Sequence, residues 1–231
     1  MSQSSSLPKA FLTKYPWLSR SVIAVVIVLL VVLISFAAGV KVAKVEKISK
    51  VDAQKKAAEF NPTDFVNSLW DSQIVPTILD KSVDISTLID DLKTNQDAAI
   101  AQYGNSESGA YNFMVKGQGK VLAVDTSSSN GTLSIDLPPY DGTADLTIQV
   151  GPVIIGFSLR DAPGIIHFGS VQNQIQYGQV NRVLNQRAAA TALNGVDPAT
   201  LQGKIIQFYG TFTFDTVNDI VVIPVKIETV G

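Results

Sequence analysis

Arg160 and Asp161 stand side by side in the segment QVGPVIIGFSLRD (residues 149–161), and Arg160 is the only arginine between Arg20 and Arg182. A guanidinium carries a planar fork of donors that matches carboxylates, phosphates and clustered hydroxyls. One reading has Arg160 presenting that fork to an anionic or hydroxyl-rich ligand. The other has it held in a structural ion pair, bonding loop carbonyls or a carboxylate such as Asp161. Gly151-Pro152 and Gly156 imply a backbone placed tightly rather than a floppy linker. Downstream, Asn173, Gln174 and Gln176 form an amide-rich run. Beside an aromatic ring such as Phe168 or Tyr177, these amides suit a sugar or a peptide; they suit equally the free backbone groups at the end of a barrel. His167 sits in the apolar run IIHF, which favours a hydrogen-bonded core or rim histidine over a catalytic one.

Little else offers chemistry. The 231 residues contain no cysteine and one histidine, which excludes thiol catalysis, disulfides, zinc ribbons and iron–sulfur clusters. No nucleophile elbow, P-loop, zinc-protease helix or EF-hand loop is present. Asp90-Asp91 falls on the polar face of an expected helix and reads as solvation. The expectation is therefore no catalytic residue, no metal site and no cofactor, with Arg160, Asp161, Asn173 and Gln174 as binding candidates on a loop shaped by Gly151, Pro152 and Gly156.

The charge is divided. Residues 1–50 hold seven basic side chains and one acid, a net +6, whereas residues 51–231 hold 11 basic and 19 acidic groups, a net −8. Clustered cations are what phosphate contacts need, so the acidic body argues against nucleic acid as a partner. Between the two lies VIAVVIVLLVVLISFAAGV, 19 uncharged residues from Val22 to Val40. As a helix it would be roughly 28 Å long, close to the ~30 Å hydrocarbon core of a bilayer. Tyr15 and Trp17 precede it, where interfacial aromatic side chains belong. Residues 22–40 therefore read as a transmembrane anchor. A secretory signal cleaved near Ala37 is the alternative, since Ser35-Phe36-Ala37 resembles a small-x-small site. Residues 1–21 would form a cytoplasmic tail and residues 41–60 a polar stalk.

The elements that must position the candidate residues follow. Asn61-Pro62 offers a cap and a first-turn proline for a helix over 62–73, which Val75-Pro76 should break. Asp84 caps a second helix from Ile85, with Leu88, Leu92 and Ile100 in helical spacing, ending near Tyr103-Gly104. Beyond a loop at 104–109 the period changes to two. A strand over 111–125 is bent at Gly117 and Gly119; Asn130-Gly131 signals a type I′ hairpin; Leu133, Ile135 and Leu137 alternate in a second strand, and Leu146, Ile148 and Val150 in a third. A helix over 177–193 separates these from strands at 204–214 and 219–228. The predicted fold is α+β: an N-terminal transmembrane helix, a helical segment (61–109), then an OB-like five-stranded antiparallel β-barrel (110–231) with one helix between strands 3 and 4.

Three stretches, KGQGKVLAVDTSSSNGTLSIDL, ADLTIQVGPVIIGFSLRDA and NQIQYGQVNRVLN, resemble an uncharacterised bacterial family of predicted periplasmic lipoproteins. The likeness runs over roughly residues 60–228. It is most specific at Gly151, Pro152, Val153, Ile154, Gly156, Leu159, Arg160 and Asp161, with Asn173 and Gln174 downstream. The resemblance implies an extracytoplasmic body and a genomic setting beside sugar ABC-transporter components, hence an accessory role in solute uptake with a transporter component or a sugar as partner. The family supplies no catalytic residues. This chain departs from the lipoprotein pattern in having no lipobox cysteine, so residues 22–40 would serve as the anchor. An envelope enzyme using carboxylates and Arg160, and a purely structural envelope scaffold, are the competing expectations.

Overall fold

The computed structural model describes residues 60–107 and 109–230, within a compact unit spanning Glu59–Gly231. The expected tail, span and stalk up to residue 59 lie outside the described residues. Among the described residues no helix is long and apolar enough to cross a membrane.

The chain opens with α1 (Pro62–Leu69), capped as expected by Asn61, whose side chain accepts the amides of Thr63 and Asp64. The helix does not stop at Val75-Pro76. It widens into a π turn (Trp70–Ile74) and continues as α2 (Val75–Lys81). The buried positions explain the wide turn. Val66, Trp70, Ile74 and Ile78 are all at most 2% exposed and recur every four residues. In a regular α-helix that interval drifts by about 40° per step, so the stripe would rotate off its target. One wider turn realigns it, and it precedes Pro76, which needs no amide donor of its own.

β1 (Val83–Asp84), absent from the sequence reading, pairs parallel with the first barrel strand. Asp84 then caps α3 (Ile85–Thr94) by accepting from Ser86 and Thr87. The expected single helix to Tyr103 is broken at Asn95, which starts α4 (Gln96–Tyr103) and caps it.

The barrel comprises β2 (Asn112–Asp125), β3 (Thr132–Asp136), β4 (Leu146–Gln149), β5 (Ile205–Thr213) and β6 (Val221–Thr229), ordered β2-β3-β4-β6-β5 and closed by β2–β5 pairing. β2 is long because it serves two partners: residues 112–120 pair with β5 and residues 120–125 with β3. The irregularity of the strand lies just beyond the glycines where it was expected: residues 112–120 keep one register against β5, and the register against β3 shifts between Val121 and Ala123. Gly117 leaves space that α3 uses, since a Cβ there would fall 2.6 Å from Ile85 Cγ2 and 2.9 Å from Phe208 Cζ. The barrel is not wholly antiparallel as expected. Its β4–β6 seam is parallel, Thr147 opposite Val221, because the long crossover after β4 brings the chain back as β5 in the opposite direction and the β5–β6 reversal then restores the direction of β4. The β2–β3 connection is not a two-residue type I′ turn either. It spans residues 126–131, and Gly131 (φ +46°) takes the left-handed position while Asn130 does not.

Two apolar cores result. The barrel interior holds Phe113 stacked on Phe212 at 5.3 Å, with Ile135, Ile148 and Phe208 fully buried. Ile85, Leu88, Ile89 and Leu92 of α3 share that core, in the i, i+3, i+4, i+7 spacing that makes one apolar stripe. The second core lies on the barrel's outer surface. There Val66, Trp70, Ile74 and Ile78 meet Val180, Leu184 and Ala188 of α6 (Gln174–Thr191) together with Ile223 and Val225 of β6. The crossover from β4 to β5 carries α6, as expected between the third and fourth barrel strands, and also a single-turn helix, α5 (Ser158–Asp161).

Candidate functional site

The crossover begins by docking onto the β2–β3 connection. The amides of Val150, Gly151 and Val153 donate to the carbonyls of Gly131 (2.9 Å), Asn130 (2.7 Å) and Ser129 (3.1 Å). Gly151 is required because a Cβ there would collide with the Asn130 backbone. Gly156 has φ +132°, a conformation that excludes side chains. Pro152 is exposed between them. The loop is thus built as tightly as Gly-Pro and the second glycine imply.

α5 then places Arg160 and Asp161 side by side, 5% and 1% exposed. Arg160 Nε donates to Asp161 Oδ1 at 2.6 Å and its second terminal nitrogen donates to Oδ2 at 2.9 Å. Tyr177, from the first turn of α6, donates its hydroxyl to the same Oδ1 at 3.1 Å. The guanidinium lies 3.7 Å from the Tyr177 ring centre and 5.2 Å from that of Phe157, which adds cation–π attraction on a largely desolvated charge. Asn105 donates to the Asp161 backbone carbonyl. Of the two readings of Arg160, the ion pair describes this geometry. Burial pushes the Tyr177 hydroxyl up to about 12, helped by the Asp161 carboxylate and opposed by Arg160.

Over this buried triad lies a cleft of about 480 Å³, walled by Phe157 and Phe168, floored by Arg160, Tyr177 and Gly178, and edged by Glu107 and Gln174. Phe157 and Phe168 are 58% and 51% exposed, and Phe168 meets Tyr177 edge-on at 5.6 Å. Glu107 ties the rim: its carboxylate accepts from the Phe168 amide at 3.0 Å and from His167 Nδ1 at 2.9 Å. These two hydrogen bonds, His167 first, hold the Glu107 carboxyl below the usual range. His167 is accordingly a rim residue, 57% exposed.

The downstream candidates divide. Gln174 faces the cleft. Asn173 caps α6, its Oδ1 accepting the Gln176 amide at 3.0 Å. Gln176 is fully buried and accepts the Gln172 amide. The structure therefore brings Arg160, Asp161 and Gln174 to one place and gives Asn173 a helix-capping contact at its edge. Phe157 and Glu107 were not singled out in the sequence; the only hint was an aromatic residue just before SLRD and one acid in the polar loop 104–109. Among the described residues no group of His, Asp and Glu side chains is placed to hold a metal ion.

Three buried amides of the same region also escape sequence reading. Gln149 alternates with apolar neighbours in β4 yet is 5% exposed. Its side chain accepts the Ile155 amide at 2.8 Å and donates to the Ile155 carbonyl at 2.7 Å. Asn181 and Asn185 of α6 donate to the Gly156 carbonyl at 3.0 and 3.1 Å, and Asn185 also reaches the Ile154 carbonyl at 3.1 Å.

Comparison with solved structures finds a crystal structure of an OB-fold protein from Thermotoga maritima, 16% identical, covering 74% of this chain and 99% of that one with a TM-score of 0.61. At that identity the likeness speaks to fold, and it agrees with the closed five-stranded barrel. No curated protein matches the chain. Residues 26–228 match the model of a family of unknown function described as predicted periplasmic lipoproteins, DUF2291. With most of its length matched, this chain belongs to that family.

Proposed function

We propose that the protein is a membrane-attached extracytoplasmic binding module, and that the aromatic cleft over Arg160, Asp161 and Tyr177 takes a small hydroxylated ligand, in the first instance a sugar, as an accessory to ABC-type uptake. The observation that carries this reading is the cleft itself. Two exposed phenylalanines flank a floor whose charges are internally neutralised, which suits the apolar faces of a sugar ring rather than a free anion. Gln174 at the edge supplies an amide for hydroxyls. The family description supports an extracytoplasmic location, and residues 22–40 are the anchor this cysteine-free chain offers.

An envelope enzyme working through carboxylates and Arg160 has less to recommend it. Asp161 is engaged by Arg160 and Tyr177, and Glu107 by His167 and the Phe168 amide. The binding reading is tested by titrating purified residues 59–231 with a panel of neutral monosaccharides in a calorimeter. Saturable heat with one of them, weakened at least tenfold by Phe168→Ala, is the expected result; no heat from any sugar sinks the sugar assignment. The anchor is tested separately, by fractionating cells that express the full chain. Recovery of the uncleaved polypeptide in the soluble cytosol would overturn it.

A further inference from the structure

Loops that fold for packing alone turn their apolar side chains inward. The segment from Val153 to Phe157 does the reverse at alternate positions. Val153, Ile155 and Phe157 are 47%, 61% and 58% exposed, while Ile154 between them is 8% exposed. The outward direction is enforced from both flanks. On one side Gln149 occupies both backbone polar groups of Ile155; on the other, Asn181 and Asn185 hold the carbonyls of Ile154 and Gly156. Three amide side chains, each at least nine-tenths buried, are thus committed to holding a short backbone so that three apolar side chains face solvent. Such a ridge is ready to bind without first losing conformational freedom.

We infer that this ridge, Val153, Ile155 and Phe157, is an interfacial docking element that inserts into the bilayer surface to which the domain is tethered. The inference rests on the membrane-attached reading above. Three observations favour lipid. First, the Ile155 amide and carbonyl are already paired, so a partner strand cannot add to the backbone there, and recognition must be through apolar side chains. Second, Arg182 is exposed and lines the neighbouring cleft of about 470 Å³ beside the ridge. Among the described residues its side chain makes no hydrogen bond or ion pair, and a guanidinium beside aromatic and branched apolar side chains matches the phosphate and acyl levels of an interface. Third, 19 residues separate Val40 from Phe60. That length spans about 28 Å if helical and at most about 65 Å if extended, which keeps the domain at high effective concentration against its own bilayer.

The test uses residues 59–231, a compact unit with its own two cores, so that any membrane binding is independent of the span. Flotation with vesicles of phosphatidylethanolamine and phosphatidylglycerol (3:1) is the readout. The wild-type unit should float, and the double variant Val153→Ser/Ile155→Asp, which spares Phe157 and its contact with Arg160, should partition at least tenfold less. Val230→Asp, which changes an exposed apolar residue elsewhere, should float like wild type. Because both ridge side chains are exposed, the double variant should keep the wild-type Tm. A single Ile155→Ser exchange serves if it does not. Failure of the wild-type unit to float, or equal flotation of the ridge variants, overturns the proposal. So does a dimer in solution that Ile155→Asp dissociates, which would assign the ridge to a second copy. A negative result here leaves the fractionation test of the anchor unaffected, so the two readings fail separately.

Discussion

Arg160 and Asp161, adjacent in sequence, close a two-point ion pair on each other while almost wholly buried. Neighbouring residues seldom manage this, because successive side chains on a helix diverge. The one-turn α5 and the Tyr177 ring against the guanidinium hold the two together.

Breaking that pair should cost far more than the pair itself is worth. Removing one partner leaves a buried charge uncompensated, which costs about 3–5 kcal/mol. Asp161→Asn and Arg160→Ala are therefore both expected to lower stability in urea unfolding by that order. The double variant Arg160→Met/Asp161→Leu should recover much of the loss. A double variant as unstable as the sum of the singles would show that the pair's other contacts matter more than its charge balance.

Tyr177 sets an alkaline limit. Its hydroxyl ionises near 10 when unfolded and near 12 when folded. The folded state thus keeps a proton that the unfolded state gives up, so the stabilisation is intact below pH 10 and is lost as pH climbs toward 12. Absorbance titration at the tyrosinate band should show a late phase that Tyr177→Phe removes. If no late phase is seen, the hydroxyl is not buried beside Asp161 as described.

The Glu107–His167 contact sets an acid limit at the cleft rim. Glu107 is depressed below its ordinary value of 4.5, so its contribution is present above that pH and fades as pH falls through the lowered value. The protection of the Phe168 amide, taken relative to the intrinsic exchange rate at each pH, should fall on acidification through that range, and Glu107→Gln should weaken the protection at neutral pH. Protection unchanged in Glu107→Gln would remove the carboxylate from the rim.

Gly178 lies in α6 with open space where a Cβ would stand, on the floor shared by both clefts. Gly178→Ala should stabilise the domain by about 0.5–1 kcal/mol, since alanine loses less entropy in a helix. Gly178→Leu should retain the fold and fill the cleft, lowering sugar affinity at least tenfold. Undiminished binding in a folded Gly178→Leu protein would move the ligand elsewhere.

Much of the scaffold was legible because it depends on local periodicity and capping. Asn61, Asp84 and the alternation of β2, β3, β4 and β5 all express preferences of the chain within a few residues. The exceptions have a common cause. The parallel β4–β6 seam, the π turn at Trp70–Ile74 and β1 each answer to a partner distant in sequence. Gln149, Asn181 and Asn185 look like surface residues in the sequence, yet each is buried where a remote backbone group needs a partner, as deep in sequence separation as Asn185 and Ile154.

By itself, then, the sequence determined the strand–helix order, the division of charge, the apolar run at 22–40 and the prominence of the segment around Arg160. Spacing and composition act through local energetics, which one strand of text carries in full. Tertiary structure alone decided that Arg160 turns onto Asp161 and Tyr177 rather than outward, that Phe157 and Phe168 line one cleft, and that Val153 and Ile155 are held facing solvent. Each of these depends on which surfaces the closed barrel and α6 bring together, and burial next to a remote partner is not written in any short stretch of residues.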